Sequence, residues 1–242
     1  MNTTNIWDKN WSKKFVPEVH PELVALIKQF SPGKKILEIG FGSGGDLSEL
    51  SRLGFECYGI EKSKVSYNLS SRQTKYKSIL GDGENTKFKN EEFDLVFHQG
   101  VLEHFKNTSK MMFESRRILR TNGILIIDVP HKWNLFTIYK NLYQLFGKWY
   151  GGWERSYDSR ELINLAEKSG FKTLKIFYRG IWPHQWGKLL FPERIIMNKT
   201  ARKILTKTPI KIIQKFVRRI YENSELLRII SSYNIIIVAK KI

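Results

Sequence analysis

The chain has 242 residues, with 41 Lys+Arg against 23 Asp+Glu, a net charge of +18 and a single cysteine. Its apolar share of 41% is close to the globular norm of roughly 45–50%, which excludes disorder as a whole-chain description. The lone Cys57 excludes an internal disulfide framework and a cysteine-built zinc site, and no apolar run approaches the ~18 residues of a membrane-spanning helix.

Met1–Phe15 lacks the apolar core of a secretory signal, so a cytoplasmic, reducing compartment is expected. The charge points to an anionic partner, either nucleic acid or an anionic membrane face. Residues 1–33 are polar with spaced aromatics and read as an N-terminal helical cap. Within it Glu22–Phe30 has the spacing of a short amphipathic helix, which Ser31-Pro32-Gly33 ends.

From residue 34 strands and helices alternate. Strand-length apolar runs fall at Lys35–Ile39, Glu56–Ile60, Ser78–Leu80, Phe93–Phe97 and Gly123–Val129. Helical patterns lie between them at Asp46–Leu53, Lys64–Tyr76 and Leu102–Leu119. Two more strands are expected at Thr173–Phe177 and Asn234–Ala239. The alternation predicts an α/β fold with a doubly wound, mostly parallel sheet. Two helical insertions interrupt it, an aromatic one at 133–153 and a basic amphipathic one at 178–233.

The sharpest motif is Ile36-Leu37-Glu38-Ile39-Gly40-Phe41-Gly42-Ser43-Gly44-Gly45-Asp46, an apolar strand running through a glycine turn into a helix. Glycines let the backbone approach a ligand without a Cβ clash, and a helix start offers free N–H groups. Glu61 ends the second strand, 21 residues after Gly40, the spacing at which an acid reaches a ribose diol. Gly81-Asp82-Gly83 follows the third strand, where Asp82 can accept from an exocyclic amine. Glu38 departs from a dinucleotide fingerprint, because an acid there would repel a pyrophosphate. It suits a ligand carrying an ammonium group, which points away from NAD and toward S-adenosylmethionine.

With these blocks, Phe93–Phe105, Arg117–Gly123 and Ile124–Pro130 in order, the chain resembles the class I S-adenosylmethionine-dependent methyltransferases, in the group that includes quinone, lipid and small-molecule methyltransferases. The resemblance implies a Rossmann-like seven-stranded sheet with an antiparallel last strand. It implies that Gly40, Gly42 and Gly44 line the cofactor's methionine and ribose, with Glu38 at the amino end. It further implies Glu61 on the ribose hydroxyls, Asp82 with Gly83 at the adenine, and His98 and Gln99 facing the sulfonium region.

Methyl transfer needs alignment and, for a hydroxyl acceptor, a base. The candidates are Glu103, His104 and His131, with His98 read as a cofactor neighbour. The absence of Asp/Asn-Pro-Pro-aromatic after the fourth strand argues against amino methylation of DNA bases. Cys57, inside a strand, is unsuited to act as a nucleophile. No His/Asp spacing suggests a metal site.

Phe136, Tyr139, Tyr143, Phe146 and Tyr150 fall on one helix face, flanked by Trp133, Trp149 and Trp153. They suit a lid over an apolar substrate, an interfacial helix or an ordinary packed helix. Residues 192–220 hold nine Lys/Arg and one acid, Glu193, or +8 of the total. Their apolar stripe includes Ile212, Ile213, Phe216, Val217 and Ile220, a pattern fit for an anionic membrane surface or for RNA phosphates. The expected function is methyl transfer to the oxygen or carbon of an apolar or lipid-linked small molecule, with the enzyme cytoplasmic or peripherally bound to a membrane. The alternatives are an RNA (tRNA)-directed methyltransferase and a non-catalytic cofactor-binding protein.

Overall fold

The computed structural model describes residues 3–13, 16–71, 75–147, 149, 152–180, 224, 229 and 232–242. In chain order the elements are α1 (Thr3–Lys13), α2 (Pro21–Phe30), β1 (Lys35–Ile39), α3 (Gly45–Arg52), β2 (Glu56–Glu61), α4 (Lys64–Ser70), β3 (Lys77–Leu80), β4 (Phe93–Gln99), α5 (Ser109–Ile118), β5 (Leu119–Pro130), α6 (Leu135–Leu145), α7 (Ser159–Lys168), β6 (Phe171–Arg179) and β7 (Asn234–Lys241). Among the described residues the strands form a seven-stranded sheet in the order β3-β2-β1-β4-β5-β7-β6. β1 to β5 pair in parallel, and β7 runs antiparallel to both β5 and β6. The predicted doubly wound sheet with its antiparallel last strand is therefore present.

Side-chain alternation along the strands builds two cores, one on each face. Ile36, Leu95, Phe97, Ile236 and Val238 pack with Leu23 and Ile27 of α2 and Leu47 and Leu50 of α3. Leu37, Ile39, Val96, Ile235 and Ile237 pack with Met111 and Met112 of α5 and Leu162 and Ala166 of α7. Burying each such aliphatic side chain contributes about 1.5–3 kcal/mol before entropy is charged against it. α2, expected as part of the N-terminal cap, thus adds its apolar face to a core layer of the sheet.

Helix starts follow local chemistry. Ser63 caps α4 by accepting from Ser66 N, Asn134 caps α6, and Asp158 with Glu161 forms a reciprocal capping box on α7. Two expected helices are corrected. The helix expected at Lys64–Tyr76 stops at Ser70, and Tyr76 lies outside it. Leu102–Leu119 is not continuous, because Leu102–His104 forms a single 3-10 turn and Phe105 is extended. Asn107 Oδ1 then takes the N–H of Ser109, so α5 starts only there, and its last residue passes directly into β5. Local side-chain bonding by Asn at this point competes with helix continuation.

The basic segment 192–220 and the aromatic Tyr150 lie outside the described residues, as do most of the 178–233 insertion and the side chains of Phe136 and Tyr139. Among the described residues, no helix is long and apolar enough to cross a membrane.

Candidate active site

The carboxyl ends of β1, β2 and β4 open into a cavity of about 460 Å³. This is where ligands bind in such sheets. Ile39, Ile60, Val101 and Met111 give it apolar walls, Glu61 and Asp82 lie along its rim, and Trp7 and Trp11 of α1 cover it. A smaller compartment of about 180 Å³ shares Trp11, Gly40, Gly42 and Gln99 with it and adds Glu38, His20 and Asp46.

The glycine turn is built for close approach. Gly40 and Gly42 both have positive φ, +72° and +50°, and a Cβ on Gly42 would sit 2.8 Å from the Trp11 ring. Gly44 has a different job: it lies in the left-handed region at the start of α3, and a Cβ there would meet the Tyr76 hydroxyl at 1.9 Å. It lines neither compartment and serves the packing of Tyr76 under the turn. Gly83 lines the larger cavity, with no room for a side chain against Ile39.

The acids differ sharply in environment. Glu61 accepts from Gly42 N at 2.9 Å through Oε2 and from Ser63 N at 2.8 Å through Oε1. Burial pushes its carboxyl up, and those backbone N–H groups partly offset the rise. Asp82 is pushed up by partial burial, but the Lys62 ammonium at 2.7 Å and the Glu84 N–H outweigh this and hold it below its ordinary value. Glu38 is 4% exposed, and its Oε2 has no partner among the described residues. Burial, reinforced by Asp46 and Glu61, holds its carboxyl well above the carboxylate range.

Beside Glu38 runs a polar relay that the sequence reading did not assign. His20 N donates to Asp46 Oδ1 at 2.6 Å, and His20 Nδ1 lies 2.7 Å from Asp46 Oδ2. Gln99 Nε2 lies 3.1 Å from the other ring nitrogen. An amide donor at Nε2 leaves Nδ1 to carry the proton toward Asp46. α1 is fastened over the site by Asp8, whose Oδ1 accepts from Ser63 Oγ at 2.5 Å and Val65 N at 3.3 Å, at the start of α4.

The structure separates the candidate bases. His104 lines the larger cavity, half-buried, with its ring edge-on to Trp7 at 4.9 Å and Nδ1 3.3 Å from Trp153 O. Burial lowers its basicity, and Glu154 partly restores it. Glu103, on the same turn, is buried behind Gly100 with Oε2 unpartnered among the described residues, and burial drives it well above the carboxylate range. His131 is buried away from the cavity, its Nδ1 near Ser232 O at 3.2 Å and its carbonyl anchoring Asn134 and Thr137 at the start of α6. His98 also lies off the cavity, fully buried and pushed down to about 4 by burial alone. Gln99 reaches both compartments, because successive strand residues face opposite sides of the sheet.

A parallel sheet with one antiparallel strand slotted in, a glycine turn after the first strand and acids after the second and third define the class I S-adenosylmethionine-dependent methyltransferase architecture. Comparison with known proteins agrees. Residues 37–127 match the family model described as a methyltransferase domain. The chain is 27% identical over 198 residues to the ubiquinone biosynthesis O-methyltransferase of Pelagibacter ubique, covering 70% of this chain and 80% of the relative. The fold matches a Thermotoga maritima S-adenosylmethionine-dependent methyltransferase with TM-score 0.66 at 18% identity, over 98% of this chain and 99% of that one. It also matches Haemonchus contortus phosphoethanolamine N-methyltransferase 2 in complex with S-adenosylmethionine, with TM-score 0.61 at 19% identity, over 99% of this chain and 57% of that one. Residues 37–127 thus form a methyltransferase domain on the class I fold, and the enzyme is S-adenosylmethionine-dependent.

The residues present suit that cofactor. A side-chain-free turn leaves room for its backbone, apolar walls suit an adenine ring, Glu61 suits a diol, and the buried Glu38 carboxyl, with Oε2 unpartnered among the described residues, suits an ammonium group. When bound, the cofactor supplies an electrophilic methyl on a sulfonium.

Proposed function

We propose that the enzyme methylates an apolar or lipid-linked small molecule, at a hydroxyl oxygen in preference to carbon, with His104 as the general base. One observation carries this reading: His104 is the predicted base that faces the cavity, and its surroundings keep the imidazole neutral. With Nδ1–H donating to Trp153 O, the lone pair on Nε2 is free to take a proton from a hydroxyl. The apolar character of the acceptor draws support from α6 and its C-cap, where Ile138, Leu142, Leu145 and Phe146 stand exposed, a concentration that marks apolar interaction surfaces. The ubiquinone O-methyltransferase relative supports the same acceptor class, and the +18 charge supports work at an anionic membrane surface.

The test supplies S-adenosylmethionine labelled on its methyl group, with a polyprenylated hydroxyaromatic, bulk tRNA or a soluble amine as acceptor. Label is expected in the organic phase with the hydroxyaromatic. His104→Gln is expected to lower kcat by about 10²–10⁴-fold while S-adenosylhomocysteine binds within about twofold of wild type. Label in tRNA, or an unimpaired His104→Gln enzyme, overturns the proposal.

A further inference from the structure

Two ionisable side chains outside the cavity are more deeply buried than their charge would favour. Lys140 of α6 is 1% exposed, and Glu154, 3.3 Å from its Nζ, is 9% exposed. Lys140 Nζ also donates to Ser156 Oγ at 2.8 Å. A buried ion pair is a poor source of stability, because desolvating both charges costs as much as their attraction returns, and an apolar residue of the same volume does as well. The pair therefore calls for a reason other than stability.

Its surroundings supply one. The stretch 152–157 is stitched on one side to α6, through Lys140 and through Gln144 Nε2, which donates to Glu154 O at 2.9 Å and Gly152 O at 3.3 Å. On the other side it is stitched to the Leu102–His104 turn. Arg155 N donates to Glu103 O at 2.9 Å, and Trp153 O faces His104 Nδ1 at 3.3 Å. The carbonyl that sets the His104 tautomer thus belongs to a segment whose other face is held by Lys140.

We propose that Lys140 is a positioning residue, which through its ion pair with Glu154 holds Trp153 O against His104 and so fixes which ring nitrogen faces the acceptor. This rests on the reading of His104 as the base. The charged groups acting on His104 are Glu154 from the 152–157 stretch and Lys140 from α6. α1 presents the uncharged Trp7 ring, Glu103 beside it is held toward its neutral form by burial, and Lys106 lines the same cavity. Glu154 favours the imidazolium and Lys140 disfavours it, so removing either one moves His104 in opposite directions.

The experiment is a ¹⁵N and ¹H NMR titration of the histidine rings in the full chain saturated with S-adenosylhomocysteine, with His104 assigned by its loss in His104→Gln. In the wild type an Nδ1–H tautomer is expected. Lys140→Met is expected to shift the His104 titration midpoint and mix the tautomers, while Glu154→Gln lowers the midpoint. Lys140→Arg is expected to restore the wild-type midpoint and tautomer. A midpoint and tautomer unchanged in Lys140→Met overturn the proposal. Should that variant fail to fold, the same result in Glu154→Gln overturns it. An active His104→Gln enzyme refutes the base reading instead, and it leaves the NMR outcome to decide the coupling on its own.

Discussion

Glu38 offers the most quantitative handle on the site. Its carboxyl is enclosed, with Oε2 unpartnered among the described residues, and flanked by two further acids, Asp46 and Glu61. The native protein therefore keeps a proton on Glu38 at pH values where the unfolded chain has released it. In that window the native state binds more protons, so stability falls as pH rises, by about 1.4 kcal/mol per pH unit. The loss starts at the ordinary carboxylate value and ends at the raised native one. A ligand ammonium reverses the preference and ionises Glu38, which releases up to one proton. Between the ordinary carboxylate value and the raised native one, and below the ~7.7–8.0 of an α-amino group, affinity for S-adenosylhomocysteine should rise with pH, by at most tenfold per unit. Calorimetry in phosphate and in Tris, whose ionisation enthalpies differ, counts the proton directly. Wild type should release protons on binding at a pH inside that window. Glu38→Gln should release about none, bind about 10–100-fold more weakly through loss of a charged hydrogen bond, and give a ligand-free protein more heat-stable than wild type at pH 7. Proton release that is absent in wild type, or unchanged in Glu38→Gln, would refute the placement of the ammonium at this carboxyl.

Gly42→Val puts a branched side chain at φ +50° and against Trp11. The left-handed backbone strain is about 1–2 kcal/mol; if the turn shifts to relieve it, S-adenosylhomocysteine affinity should fall about five- to thirtyfold with the far-UV circular dichroism unchanged, and wild-type affinity would contradict the cradle. Asp8→Ala removes the bond that holds α1 to Ser63 and Val65. Stopped-flow tryptophan fluorescence should then show S-adenosylhomocysteine leaving several times faster, and an unchanged release rate would mean that α1 does not gate the cavity. Burial pushes the Cys57 thiol up to about 12, so a thiolate-specific disulfide reagent at pH 8 should label it only on unfolding; prompt labelling of the native protein would contradict its position inside β2.

The sheet was legible because each strand carries its own apolar run and each crossover its own helical period. The glycine turn, Glu61 and Asp82 were legible because their spacing along the chain is fixed by one βαβ unit after another. What escaped was long-range. Nothing local tells that α1 folds over the turn or that His20 pairs with Asp46, although Trp7 and Trp11, four apart on one helix face, were a usable hint. His98 and Gln99 were grouped as cofactor neighbours, yet the two-residue strand period puts them on opposite faces, which decides that Gln99 reaches the compartments and His98 does not. Gly44 shares the motif with Gly42 but answers to Tyr76, 32 positions later. The helix expected through Leu102–Leu119 had the right period, and a polar break at Asn107 overrode it.

The place of β7 bears on how the protein is made. β6 precedes β7 in the chain, yet among the described residues it pairs in the sheet with β7 and with no other strand, and β7 is the one that joins it to β5. A ribosome delivers β6 before its partner β7, and the edge of β5 that β7 covers stays open until Ile235–Ala239 emerge. Folding from the amino end outward can assemble five strands and must then wait. That interval, with an unpaired hydrophobic edge and a stranded β6, is when the chain is most exposed to wrong partners, and nascent chains stalled just short of β7 are the species a chaperone would be expected to hold.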